Sequence, residues 1–384
     1  MQESCDGLLK ELFLIKGIMK HFTLRVVGIT ALFLLMGQGC GSFGETPQPL
    51  DGGVFATEDG GQTWQHRIKI PSTTGAPGSI ASVNVITLNT DPSDKNALYA
   101  GTQANGMIYS YDQGRTWAQP DDIRAGTVSD IAVDPRDKCV VYAAANNKLL
   151  KTEDCSRTFT TRHIDEKSSA RITAIEIDPK HPDVVYAGTR SGELLKSENA
   201  GKTWRIRHTF REEVSHISIF EIDPNIVYVG LERRGLHKSA DGGGTWIDIT
   251  PERDEHGGIN SVKKIVWDIH DNMHVAVIDS RIYTTINGGE NWKRLDLVSP
   301  ADARIFGLAV NPKNNKQMIY TTATAGQSTM YVTSDSGATW TVSKPPTTRA
   351  VSNVIFDPEA PQIIYIAGFA IGGETCTIAS IIRN

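Results

Sequence analysis

Residues 239–246 read SADGGGTW, and the chain keeps returning to that string. Thr57 to Trp64 is TEDGGQTW, Ser110 to Trp117 is SYDQGRTW, and Ser197 to Trp204 is SENAGKTW. Thr285 to Trp292 is TINGGENW, Thr333 to Trp340 is TSDSGATW, and a weaker copy, TEDCSRTF, runs from Thr152 to Phe159. The shared form is Ser/Thr-x-Asp/Asn-x-Gly-x-Thr-Trp. A short hydroxyl and a short carboxylate or amide bond backbone N–H groups inside a turn. Glycine supplies a φ above zero, and a following aromatic ring packs against the sheet. Each copy therefore reads as a hairpin turn closed over a buried ring. Its marked residues are structural: Asp59 and Trp64, Asp112 and Trp117, Asp154 and Phe159, Asn199 and Trp204, Asp241 and Trp246, Asn287 and Trp292, Asp335 and Trp340.

A second marker travels with the first. A hydrophobic strand ends in Asp-Pro, and a short turn leads to a strand with a central Tyr. IEIDPKHPDVVYAGT (175–189) and VIFDPEAPQIIYIAG (354–368) are two copies. Anchors fall at Asp91, Asp134, Asp178, Asp223, Asp268, Asn311 and Asp357. The period of about 44 residues is that of a four-stranded propeller blade. Each repeat reads as strand A, an Asp-Pro turn, strand B, a Gly-containing turn, strand C, the quoted string and strand D. The expectation is an all-β protein, a seven-bladed β-propeller of four-stranded antiparallel blades. The chain opens on a C strand and ends on A and B strands, so the N-terminal hairpin at Val54–Trp64 should complete the last blade. TCTIASI (375–381) competes for the same place, and an eighth, incomplete blade is the alternative.

The quoted strings resemble the Asp-box, or BNR, repeat of sialidases, sortilin-type Vps10 domains, xyloglucanases and the Ycf48 photosystem-assembly factors. The Asp-Pro and Tyr-x-Gly pattern is most similar to the sortilin and xyloglucanase style. The resemblance covers residues 52–384. It implies the propeller fold and boxes that act as structural turns away from the ligand face. It does not imply one function.

Upstream of that domain the chain changes character. Lys20, His21 and Arg25 precede an apolar run, Val26 to Met36, too short to span a membrane, which takes about 20 residues, and suited to a secretory signal. It ends in Gly39-Cys40-Gly41, similar to a bacterial lipobox, with Gly37 where an aliphatic residue is usual. Residues 1–40 are thus read as an extension plus lipoprotein signal, with Cys40 the lipidated residue and Met19 an alternative start. Residues 41–51 are the tether and 52–384 the propeller. This makes a membrane-anchored, extracytoplasmic lipoprotein, where disulfides persist. Of the five cysteines, Cys139 and Cys155 fall on turns at the same end of one repeat, and a disulfide there would staple the weakest box.

The net charge of −5 argues against a nucleic-acid partner. No segment carries zinc-ligand spacing, a nucleophile elbow, a zincin helix or a phosphate loop, so no catalytic, cofactor or metal residue is assigned. HRIKIPS (66–72) does not match the sialidase Arg motif that the resemblance would imply. The loops opposite the boxes differ from repeat to repeat. There Arg190, then Glu232, Arg233 and Arg234, then Asp279 and Arg281 fall on consecutive blades as a candidate ligand face. The reading is a monomeric scaffold that binds an envelope protein or a polysaccharide. A glycoside hydrolase, which needs two facing carboxylates, is the alternative.

Overall fold

The computed structural model describes residues 50–73, 76–165, 171–252, 261–267, 274–324 and 327–371. Cys5, Cys40, the signal, nearly all of the tether, Cys376, segment 375–381, the Asp268 anchor and most of loop 251–258 lie outside the described residues.

Pro49–Asn384 forms one compact unit, a seven-bladed propeller. Blade 1 covers 85–118, blade 2 128–164, blade 3 172–209, blade 4 214–248, blade 5 262–294 and blade 6 304–343. In blades 2 to 6 strands A to D pair in chain order. Blade 7 is composite: Ala350–Phe356 and Ile364–Phe369 supply A and B, while Val54–Thr57 and Gln65–Arg67 supply C and D. The expected closure is therefore present, and the N-terminal segment already holds the third position in that sheet.

Blade 1 departs from the expected four strands. Val85–Thr90, Leu98–Thr102 and Met107–Ser110 form a three-stranded sheet. The fourth strand is reduced to one pair, Tyr109 with Ala118. The physical reason is local. Trp117 N–H donates instead to Lys69 O at 2.9 Å, and Pro120, lacking an N–H, cannot continue a ladder.

The core is a ring of layers between blades. Each hydrophobic cluster joins two neighbours, such as Val54, Ala56, Tyr365 and Ala367 of blade 7 against Val85, Leu88 and Leu98 of blade 1. The glycine after the strand-B tyrosine admits the next blade. A Cβ on Gly188 would lie 2.3 Å from Val214, and one on Gly230 2.5 Å from Val262.

The boxes form the C-to-D turns. In the type example Asp241 accepts from the Gly244 and Thr245 N–H groups at 2.7 and 2.9 Å. Ser239 Oγ donates to Asp241 and accepts the Gly243 N–H at 2.8 Å. Positive φ is needed at two successive positions, not one: Gly242 and Gly243, Ala200 and Gly201, Gln113 and Gly114. Two consecutive residues of this kind are the signature of a type I′ hairpin turn, whose twist suits antiparallel strands. The expectation of a fully buried ring holds for Trp117, 1% exposed. Trp64, Trp204, Trp246, Trp292 and Trp340 are only half-buried. The indole edge stays at the rim, where Trp292 donates to Ile249 O and Trp340 to Asp296 O in the preceding blade.

Candidate functional site

Strands A line the central channel, and each carries one register shift near its start. The bulge turns the next side chain toward the adjoining blade. Asp130, His216, Lys264 and Asn353 occupy that place in blades 2, 4, 5 and 7. Asn89 and Glu176 stand two residues further along in blades 1 and 3.

These side chains stitch blade to blade. Asn353 accepts the Leu88 N–H at 3.1 Å and donates to Ile86 O at 3.0 Å. Asn89 donates to Ile131 O at 3.0 Å. Asp130 accepts the Ile175 N–H at 2.9 Å, Glu176 accepts the Ile219 N–H, and His216 bonds the Ile265 backbone. Lys264 ends the series, with no hydrogen bond or ion pair among the described residues.

These groups are half-buried, with the channel on one side and packed blades around the rest, and desolvation dominates their titration. Burial pushes Glu176 up to about 8, with the Asp130 charge adding to it. Burial pushes Asp130 up to about 6, against its backbone bonds and the Lys264 ammonium. His216 is pushed down to about 4, and Lys264 is lowered by burial although Asp130 opposes this. At neutral pH the channel thus holds a neutral Glu176 and a neutral His216 beside Asp130 and Lys264. Lys264 lines two adjoining cavities of about 330 and 470 Å³. Pro92, Pro135, Pro179, Pro312 and Pro358 of the A-to-B turns also line them, so both lie toward the box end.

None of these channel residues was singled out in the sequence. The available signal was an ionisable residue inside an otherwise apolar strand A, as in VSDIAV, ITAIEI and VSHISI.

The candidate face lies at the other end, on the B-to-C turns of blades 3, 4 and 5, and it divides into separate local arrangements. Arg190 pairs with Glu213 at 3.5 Å, and Glu232 with Lys263 at 2.8 Å. Asp279 adopts a left-handed backbone and accepts the Ser261 N–H at 2.9 Å. Arg233 and Arg234 are exposed and have no ion pair or hydrogen bond among the described residues. Arg281 is half-buried beside Asp279 on the next blade.

The box carboxylates are engaged in their turns. Hydrogen bonds from the Thr158 side chain and backbone hold Asp154 down to about 2, and the Thr339 and Thr333 hydroxyls do the same for Asp335. Cys139 and Cys155 are joined as a disulfide. Among the described residues no group of three His, Cys, Asp or Glu side chains is placed to hold a metal ion.

Seven blades, type I′ boxes and a polar-stitched channel define an Asp-box β-propeller. More narrowly, the chain belongs to the Sortilin-Vps10 family, whose profile, described as sortilin, neurotensin receptor 3, matches residues 105–235 and again 234–367. Among solved structures it is similar to the GH74 xyloglucanase from Xanthomonas campestris, with 16% identity and a TM-score of 0.63 over 75% of this chain and 51% of that one. It is also similar to the GH74 enzyme of Niastella koreensis, with 18% identity and a TM-score of 0.59 over 75% of this chain and 51% of that one. A third is Ycf48 bound to D1 peptide, with 13% identity and a TM-score of 0.57 over 81% of this chain and 96% of that one. The chain spans about half the length of these two GH74 enzymes. At these identities the likeness is one of fold. A search of curated proteins finds no match.

Proposed function

We propose that this propeller is a non-catalytic binding protein of the cell envelope, anchored outside the cytoplasmic membrane by a lipid on Cys40. It holds a protein or polysaccharide partner against the end opposite its boxes. The observation that carries the reading is the Arg233–Arg234 pair, adjacent, exposed and unpaired among the described residues, while its acidic neighbours Glu232 and Glu213 are engaged by Lys263 and Arg190. Guanidinium groups bond carboxylate, phosphate and hydroxyl oxygens through a planar fork. Variable loops on a rigid scaffold are where recognition is commonly built. The likeness to a peptide-bound Ycf48, which extends over 96% of that chain, supports a binding role by analogy.

The test is a glycan and envelope-protein binding screen with residues 50–384. Changing Arg190, Arg233 and Arg234 to Ala weakens the binding found by at least about tenfold, while stability stays within about 0.5 kcal/mol, as for ordinary surface changes. Binding that survives the triple change sinks the assignment.

The alternative, a glycoside hydrolase, draws on one observation: Asp130 and Glu176 are both raised carboxyls near a cavity, and Asp130 adds to the Glu176 shift. Their oxygens already accept backbone N–H groups across blades, which is a stitching role. Release of reducing sugar that vanishes in Glu176→Gln would establish the hydrolase instead.

A further inference from the structure

The missing fourth strand of blade 1 leaves a concavity of about 550 Å³ on its outer edge, within the usual range for ligand pockets. Trp117, fully buried, forms its floor, and Tyr109 and Tyr111 stand along one wall. Tyr109 lies on the exposed strand and Tyr111 one residue beyond its end, with their rings 5.2 Å apart and tilted. Tyr111 is fixed by donating its hydroxyl to Cys155 O at 3.0 Å in the next blade's box. The Tyr109 hydroxyl has no hydrogen bond among the described residues, with Arg157 and Asp121 in electrostatic reach. Gln119 is held by donating its amide nitrogen to the Asn105 and Arg124 carbonyls, which leaves its oxygen as an oriented acceptor.

We propose that this groove is a binding site for a neutral oligosaccharide, separate from the arginine-bearing end and independent of it. Sugar rings carry an apolar C–H face that stacks on tyrosine and hydroxyls that bond planar polar groups. The groove offers both. Its charge is balanced, because Arg124 is bonded to Asp121 through Nε at 3.0 Å, so no ionic ligand is favoured. An added peptide strand is disfavoured by the backbone itself. Tyr109 already exchanges both its hydrogen bonds with Ala118, at 2.9 and 2.8 Å, which closes the middle of the edge that strand addition would use.

The test uses the full chain in detergent and calorimetric titration with cellohexaose, mannohexaose and chitohexaose. At least one binds. Tyr109→Ala weakens it at least about tenfold, the loss expected of a truncated aromatic anchor, whereas Tyr109→Phe keeps the ring and most of the affinity. Arg233→Ala with Arg234→Ala leaves it unchanged. If Tyr109→Ala does not fold, Gln119→Ala takes its place and weakens binding at least about threefold through the lost acceptor. The proposal is overturned if none of the three hexasaccharides binds, or if binding survives the groove changes, or if it is lost with the arginine pair alone.

Discussion

Glu176 shows how one residue's environment reverses its usual effect on stability. An exposed glutamate is ionised above about pH 4.5, but in the channel its carboxyl is pushed up to about 8. The folded state therefore keeps a proton that the unfolded chain releases. Stability from this group is complete below its unfolded value and is lost as pH rises through about 8. Each unit is worth about 1.4 kcal/mol, and channel water screens the charge, so the loss is on the order of 2–3 kcal/mol. His216, pushed down to about 4, acts in the other direction and removes stability as pH falls from its unfolded value through about 4. Asp130, raised to about 6 by burial, and Lys264, lowered by burial, face the same channel and titrate beside it. Thermal melts from pH 5 to 9 should carry a decline that runs up to about pH 8 in the wild type and is absent in Glu176→Gln. Below about pH 6.5 the Gln variant should lose stability on acidification more steeply than the wild type, because protonation of Glu176 no longer offsets the loss from His216. An alkaline slope identical in both proteins would show that Glu176 does not carry it.

Among the elements, the box of blade 2 is the informative exception. Every box holds two successive left-handed residues, and here they are Cys155 and Ser156, with φ of 59° and 64°. Without glycine this costs about 1–2 kcal/mol per residue, and the Ser156 hydroxyl is buried with no hydrogen-bond partner among the described residues. Phe159 also lacks the indole donor that the other boxes possess. The Cys139–Cys155 disulfide closes a separation of 16 residues, and a loop of that size constrains the unfolded chain by about 3 kcal/mol. Changing both cysteines to Ala should lower stability by about 2–4 kcal/mol. Adding Ser156→Gly should restore about 1 kcal/mol by relieving the backbone. Urea titrations of the three proteins measure this, and a further drop on adding the glycine would contradict the strain argument. The same contrast explains what could be read from the sequence. Box chemistry is local, since the hydroxyl, carboxylate and glycine lie within eight residues, so repeat, turn and blade number were legible. The loss of strand D in blade 1 was marked by Pro120 but depends on Lys69 receiving the Trp117 N–H, a contact 48 positions away. The channel was not legible because Asp130, Glu176 and Lys264 look like ordinary alternation in a strand. Only ring closure brings neighbouring A strands within reach of them.

Closure is the property of the whole molecule, and Arg349 is where its ends meet. Four antiparallel strands make each blade, but blade 7 draws two from the N-terminal side, so the ring stays shut only while Val54–Thr57 remains paired with Ile364–Phe369. Arg349, 3% exposed, sits behind this seam. Its Nε approaches Asp51 at 3.4 Å, Nη1 donates to Val83 O at 3.2 Å and to Asn84, and Nη2 donates to Ser82 O at 3.3 Å. Asp51 also accepts from the Thr348 N–H and hydroxyl, each at 2.7 Å. One guanidinium thus ties the N-terminal segment to the start of blade 1 from its seat in blade 7. Removing it takes the donor from Ser82 O and the counter-charge from the half-buried Asp51, while Val83 O keeps the Gly53 N–H and Asn84 Oδ1 the Ala370 N–H. Truncating one partner of such a buried pair costs about 3–5 kcal/mol, and Arg349→Ala should reach the lower part of that range, since Thr348 still bonds Asp51. The damage should be localised. Hydrogen exchange should accelerate first in Val54–Thr57 and Ile364–Phe369, the seam strands, before blades 3 and 4 respond, because opening a ring at its latch exposes two sheet edges while the other interfaces remain packed. Arg349→Lys should recover little, as a single ammonium cannot hold the carboxylate and the three carbonyls in one fork. Uniform acceleration across all blades in Arg349→Ala would mean that the ring opens as one cooperative unit and that the seam is no weaker than any other interface.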